Sequence, residues 1–319
     1  MTAAGSGVVH ASMPRLFLWP LVWVLALVVP LSALAVDPPP DRSNVRYGPY
    51  YRNVLDFWQA KSAQPTPLFV YIHGGGWYQG DKAAATSDIV RLHIDLISFM
   101  LRHGVSVASI NYRYATIAPL PAPVLDAARA VQFLRAQAGS WHLDPRRVAA
   151  MGTSAGGCTA LWLAYHPDLA DPRSPDPVAR QSTRLSGVLA WNPQTSIDPP
   201  VITGWVGPQV LNHPMIWLAV GARDRDDALA RYAAFQGLYR EYSPINHVAA
   251  GAPPVLLVYG TGPLPAATPD LAIHHMAFGS KLKAKAEAVG AVCILRLTNR
   301  PDPTQPQPYD FVLKVLDSP

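Results

Sequence analysis

The chain has 319 residues, 50% of them hydrophobic and 15% charged, with a formal net charge of +5. That is enough apolar material for a full core, within the length that one α/β domain occupies. Lys and Arg are scattered rather than clustered with aromatics, so the excess charge reads as solvated surface and nucleic-acid binding is excluded. The two cysteines, Cys158 and Cys293, cannot make a disulfide framework and read as buried, inert thiols.

After Met13-Pro14-Arg15 an almost wholly apolar run begins at Leu16 and closes on Ala33-Leu34-Ala35, with Pro38-Pro39-Pro40 just beyond. A basic start, an apolar middle and a small-residue cleavage site predict a signal peptide over residues 1–35, hence a secreted or periplasmic protein. The competing reading is an uncleaved N-terminal anchor, the one route by which this chain would meet a membrane. Residues 36–319 are expected to form a single α/β domain.

From Val45 to Gln59 aromatic and β-branched residues flank Gly48-Pro49, which predicts short antiparallel strands. The chain then alternates. Apolar runs at 68–72, 105–110, 148–152, 187–191, 255–259 and 292–297 read as strands covered on both faces. Helical spacing appears at 88–101, 124–136, 156–165, 226–239, 281–289 and 309–316. The implied architecture is α/β, a mostly parallel sheet with helices on both faces and short antiparallel strands at its N-terminal end. Segments 167–176 and 195–215 break the alternation and are expected to form a small cap at the sheet edge.

Two glycine-rich elements carry the chemistry. His73-Gly74-Gly75-Gly76-Trp77 follows the run 68–72 and presents backbone N–H groups with no side chains in the way, as a developing oxyanion requires. Gly152-Thr153-Ser154-Ala155-Gly156 follows the run 148–152 and puts Ser154 on a tight strand-to-helix turn. A serine at neutral pH needs a base to take its proton and donors to hold the resulting negative oxygen. Gly75, Gly76 and Ala155 are the candidate donors. His73 ends a buried strand and is expected to brace the glycine loop.

At these residues the chain resembles the α/β-hydrolase superfamily, specifically esterases of the hormone-sensitive-lipase type and the related feruloyl and acetylxylan esterases. The likeness extends to Gly80-Asp81-Lys82, Asn111-Tyr112-Arg113, Asp144-Pro145-Arg146-Arg147-Val148 and Ser243-Pro244-Ile245-Asn246-His247. It implies Ser154 as nucleophile, an oxyanion site at Gly75, Gly76 and Ala155, and no metal or organic cofactor.

The pattern then breaks. Proteins of this kind carry their acid after a Gly-Thr-x-Asp type strand end and their histidine after the next strand. Here Gly260-Thr261 runs into Gly262-Pro263, and no histidine lies beyond His275. Counting back from the helical pattern 281–289 puts the acid slot near Asp270, displaced by an insertion after Gly262, with His274 and His275 just beyond. The expectation is that His274 or His275 is the base for Ser154 and Asp270 its orienter. Asp302 and Asp310 are runner-up acids, and His247 ranks below the pair. Surface roles suffice for His93, His103, His142, His166 and His213. Trp77, Tyr78, Trp191, Trp205 and Trp217 are candidate pocket walls.

The expected activity is hydrolysis of carboxylic esters through an acyl-enzyme on Ser154, the partner being a small-molecule or carbohydrate-linked ester. The alternative is a hydrolase-fold binding protein without a functional base.

Overall fold

The computed structural model describes residues 37–87 and 96–317. The expected signal peptide and the first part of the 88–101 helix lie outside the described residues. Among the described residues no helix is long and apolar enough to cross a membrane.

The strands are β1 Arg42–Arg46, β2 Val54–Trp58, β3 Thr66–Ile72, β4 Ser106–Ile110, β5 Leu143–Thr153, β6 Gly187–Trp191, β7 Val255–Tyr259 and β8 Cys293–Leu297. They form one sheet in the order β1-β2-β4-β3-β5-β6-β7-β8. The β1/β2 and β2/β4 pairings are antiparallel and the rest parallel. Strands β3, β4, β6 and β7 are buried along their whole length, which explains their uninterrupted apolar runs. Alternate residues feed two cores. Leu68, Val70 and Ile72 face the larger one, with the helices Ala122–Ala136 and Ala155–Tyr165. Phe69 and Tyr71 face the smaller one, with Leu96, Met100 and the helix Pro308–Asp317. Cys158 and Cys293 are both buried and unpaired, and burial pushes the Cys293 thiol up to about 12.

Register places the chemistry. Strands β3 and β5 are neighbours although far apart in sequence, and Ile72 pairs with Gly152. The two glycine-rich elements therefore leave adjacent strand ends on the same edge. Parallel sheets present their functional loops at the C-terminal strand ends for this reason.

Two expectations differ in detail. The helical pattern 226–239 is two helices, Arg225–Ala230 and Tyr232–Glu241, interrupted at Arg231. The single cap expected from 167–176 and 195–215 is two separate features. Segment 167–184 is tied to the helix Ala122–Ala136, where Gln132 donates to the carbonyl of Gln181 at 2.9 Å and Arg135 to that of Ser182 at 2.7 Å. Segment 195–215 contains the helix Pro199–Val206 and brings His213 against His274.

Candidate active site

Ser154 occupies the turn between β5 and the helix Ala155–Tyr165 with φ 53° and ψ −122°. A non-glycine residue with positive φ is strained, and here the surroundings hold it. A Cβ on Gly156 would lie 2.1 Å from the carbonyl oxygen of Ile72 and 2.4 Å from that of His73. One on Gly152 would lie 2.2 Å from the carbonyl carbon of Gly156. Both flanking glycines are thus demanded by backbone packing, Gly156 against the end of β3 and Gly152 against the start of the helix that follows the turn.

The glycine loop is held from behind. Gly75 and Gly76 have φ of 97° and 60°, and Gly75 accepts from the N–H groups of Tyr78 and Gln79 at 3.0 Å each. Tyr112 stacks on His73 with centroids 4.2 Å apart and donates its hydroxyl to the His73 carbonyl at 2.8 Å. His73 Nδ1 meets the Gly74 carbonyl at 2.7 Å, and burial lowers its pKa to about 4, so the ring is neutral and faces the protein. Asn111 joins the next turn, accepting from the Lys82 N–H at 2.6 Å and donating to Asp81 at 2.7 Å. Arg113 grips Asp126 through two nitrogens at 2.8 and 2.7 Å. The motifs Gly80-Asp81-Lys82 and Asn111-Tyr112-Arg113 are therefore scaffolding for the loop. No backbone or side-chain acceptor takes the Gly75 or Gly76 N–H among the described residues.

His274 Nε2 lies 2.8 Å from Ser154 Oγ. It ends the short helix Pro269–Ile273 in the loop after β7. Its Nδ1 stands 3.0 Å from the backbone carbonyl of Asp270 and 3.3 Å from the Asp270 carboxylate. Two acceptors at Nδ1 put the ring proton there and leave the Nε2 lone pair for the serine hydroxyl. Burial lowers the His274 pKa below its ordinary 6.5, a shift that Asp270 opposes by charge and hydrogen bonding. The Asp270 side chain is 79% exposed, so its charge acts on the ring through solvent.

His275 points elsewhere. Its Nε2 meets the Gly262 carbonyl at 3.0 Å and its Nδ1 accepts from the Ala277 N–H at 3.0 Å, so both nitrogens are used. Asp302 closes a turn onto Thr304 and Asp310 lies in the helix Pro308–Asp317; among the described residues neither contacts an imidazole. His247 bonds the Glu241 carbonyl at 2.5 Å beside Trp162 and His166. Trp77 and Trp191 are core residues rather than pocket walls: Trp77 donates to Thr159 at 2.9 Å and Trp191 packs near Tyr309. Trp205 packs edge-on against Phe278. Tyr78 lies close enough to Asp270 for burial and that charge together to raise its hydroxyl pKa.

Two residues of this neighbourhood escape sequence reasoning. His213, assigned a surface role above, stands edge-on to His274 with centroids 6.2 Å apart. Its Nδ1 accepts from the Met215 N–H at 3.3 Å, and burial followed by the His274 charge lowers its pKa to about 4. Gln194 is fully buried, with Nε2 2.9 Å from the Ile273 carbonyl and 3.4 Å from Ser154 Oγ. No spacing rule marks either, because each reaches the site from a loop. A pocket of about 210 Å³ opens beside His274, lined mostly by apolar surface from Pro263, Ala266, Ala267 and Leu271.

A serine on a strand-to-helix elbow, a histidine on its hydroxyl and a glycine loop on the adjacent strand of a mostly parallel sheet define an α/β-hydrolase. The chain belongs to the BD-FAE family, whose model matches residues 55–263. That match ends at Gly262-Pro263, where the sequence departs from the usual acid position and before His274. Among curated proteins the chain is 27% identical over 221 residues to the probable carboxylic ester hydrolase LipM of Mycobacterium tuberculosis, across 68% of this chain and 47% of LipM. The chain spans about half the length of the curated relatives it matches. In fold it is similar to a truncated carbohydrate esterase from gut microbiota, with a TM-score of 0.66 at 19% identity over 86% of this chain and 95% of that one. It is also similar to the acetyl ester-xyloside bifunctional hydrolase of Caldicellulosiruptor lactoaceticus, with a TM-score of 0.62 at 20% identity over 81% and 86%.

Proposed function

We propose that this chain hydrolyses carboxylic esters through an acyl-enzyme on Ser154, with His274 as base, Asp270 as its orienter, and Gly75, Gly76 and Ala155 as oxyanion donors. The observation that carries the reading is the 2.8 Å contact between Ser154 Oγ and His274 Nε2. Ser154 gives its proton to Nε2 as Oγ bonds to the ester carbonyl carbon, and the carbonyl oxygen becomes negative beside the glycine loop. The tetrahedral species collapses with loss of the alcohol, which takes the proton from His274. Water then repeats the sequence: His274 accepts its proton, the hydroxide adds to the acyl carbon, and Ser154 Oγ leaves and is reprotonated. The products are the carboxylic acid and free enzyme. The size of the pocket beside His274, below the range typical for drug-sized ligands, supports a small acyl or alcohol group on one side of the ester. LipM and the two carbohydrate-active neighbours act on esters by their names, which supports a small-molecule or carbohydrate-linked ester substrate. A secreted or periplasmic location remains the expectation from residues 1–35.

A fluorophosphonate probe tests this directly: the purified protein is expected to be labelled at Ser154 and to cleave p-nitrophenyl acetate. Failure of both would leave a hydrolase-fold binding protein.

The pH profile follows from the imidazole. Catalysis needs neutral His274, and its pKa lies below 6.5, so the acid limb of kcat/KM is expected to have its midpoint below pH 6.5. Asp270 raises that pKa, so Asp270→Asn is expected to move the limb to still lower pH. A midpoint at or above pH 7 in the wild type would contradict the assignment.

A further inference from the structure

The structure assigns to Gln194 the task of holding the displaced histidine on the nucleophile, an inference that rests on the esterase reading above. In this chain the base arrives on a five-residue helix, Pro269–Ile273, preceded by a proline-bounded loop. Its carboxylate neighbour, Asp270, is largely in water. A solvated carboxylate at 3.3 Å contributes little directional restraint, because exposed ion pairs are weak and screened. The Asp270 carbonyl on Nδ1 sets the ring within its own short helix, so a further tie must hold that helix at the nucleophile.

The segment after β6 supplies it. Gln194 Nε2 donates to the carbonyl of Ile273, the residue directly before His274, at 2.9 Å, and lies 3.4 Å from Ser154 Oγ. Thr195 Oγ1 donates to the Phe278 carbonyl at 2.8 Å on the far side of the histidine pair. This segment is itself anchored, since the Asn192 N–H binds the Val258 carbonyl of β7 at 2.8 Å and the Thr195 carbonyl receives the Ile245 N–H at 3.0 Å. Residues 192–195 thus clamp both flanks of His274 to the sheet that carries Ser154. Gln194 is fully buried and its Oε1 has no partner among the described residues. Burying an amide with an orphaned oxygen costs stability, but an apolar side chain there would remove the donor that the Ile273 carbonyl takes. Gln194 acts through His274, as a positioning residue.

The test compares Gln194→Met, Thr195→Val and Asp270→Asn, with kcat expressed per active site titrated by fluorophosphonate so that misfolded protein drops out. Gln194→Met keeps the volume and removes the donor; kcat is expected to fall about 100-fold with KM within about threefold, the signature of a misplaced catalytic group. Asp270→Asn leaves the backbone carbonyl on Nδ1 and is expected to cost about tenfold, and Thr195→Val less than Gln194→Met. Should Gln194→Met fail to fold, Gln194→Glu keeps the shape but has no donor when ionised. Its kcat relative to wild type is then expected to be low at pH 8 and to recover as the carboxyl protonates towards pH 5. A labelled wild type together with a Gln194→Met enzyme of near-normal kcat, or a Gln194→Glu ratio that does not change with pH, overturns the positioning role and leaves the esterase reading standing. A wild type that takes no label removes that reading, and this role with it.

Discussion

Replacing His274 by alanine is expected to lower kcat/KM for p-nitrophenyl acetate by about 10⁴-fold or more, because Ser154 then has no acceptor for its proton. The adjacent substitution separates base from bystander. His275 spends both nitrogens on Gly262 and Ala277, so His275→Ala should leave kcat/KM per titrated site within about threefold. Its cost should appear in stability, about 1 kcal/mol, from the lost packing and hydrogen bonds of the buried His275 ring, since water can reach the exposed Gly262 carbonyl it leaves. The measurement is steady-state kinetics with thermal melts on both variants. A His275→Ala enzyme as inactive as His274→Ala would mean that the wrong imidazole has been assigned.

The second large effect belongs to a residue with no side chain. Gly156→Ala is expected to abolish fluorophosphonate labelling and most soluble expression, since its Cβ would fall 2.1 Å from the Ile72 carbonyl oxygen. That neighbour is backbone in a fully buried strand and cannot step aside without moving β3 and the glycine loop together. Gly237 is the control. It sits mid-helix in Tyr232–Glu241 with open space around its Cβ position, so Gly237→Ala should fold normally and gain about 0.5–1 kcal/mol. Equal behaviour of the two alanine variants would show that the elbow tolerates separation from β3.

Both expectations concern features that differ in how far they could be read from the chain. The strands were visible because burial on both faces leaves uninterrupted apolar runs such as Leu68-Phe69-Val70-Tyr71-Ile72. The elbow was visible because its glycines answer a contact a few residues away and a neighbouring strand end. His274 and Asp270 are legible only by counting back along the helix pattern, because Gly260-Thr261 runs into Gly262-Pro263 with no carboxylate at the usual place. Choosing His274 over His275 depended on which way each ring turns, which two adjacent residues of the same type cannot signal. Trp77 and Trp191 show the opposite failure: aromatic residues beside a motif suggest a pocket wall, but the glycine-loop turn sends Trp77 inward onto Thr159 and Trp191 ends a buried strand. His213 and Gln194 carried no signal at all.

The order of residues by itself determined the α/β alternation, the left-handed seat of Ser154 and the unobstructed glycine loop, because each follows from local sterics and burial periodicity. Only the tertiary structure decided that β3 lies beside β5, that His274 reaches Ser154 while His275 turns to Gly262, and that Gln194 and His213 complete the neighbourhood. Strand order and loop closure are set by packing between segments separated by 120 residues or more, as Ser154 and His274 are. No periodicity within either segment encodes the other's position.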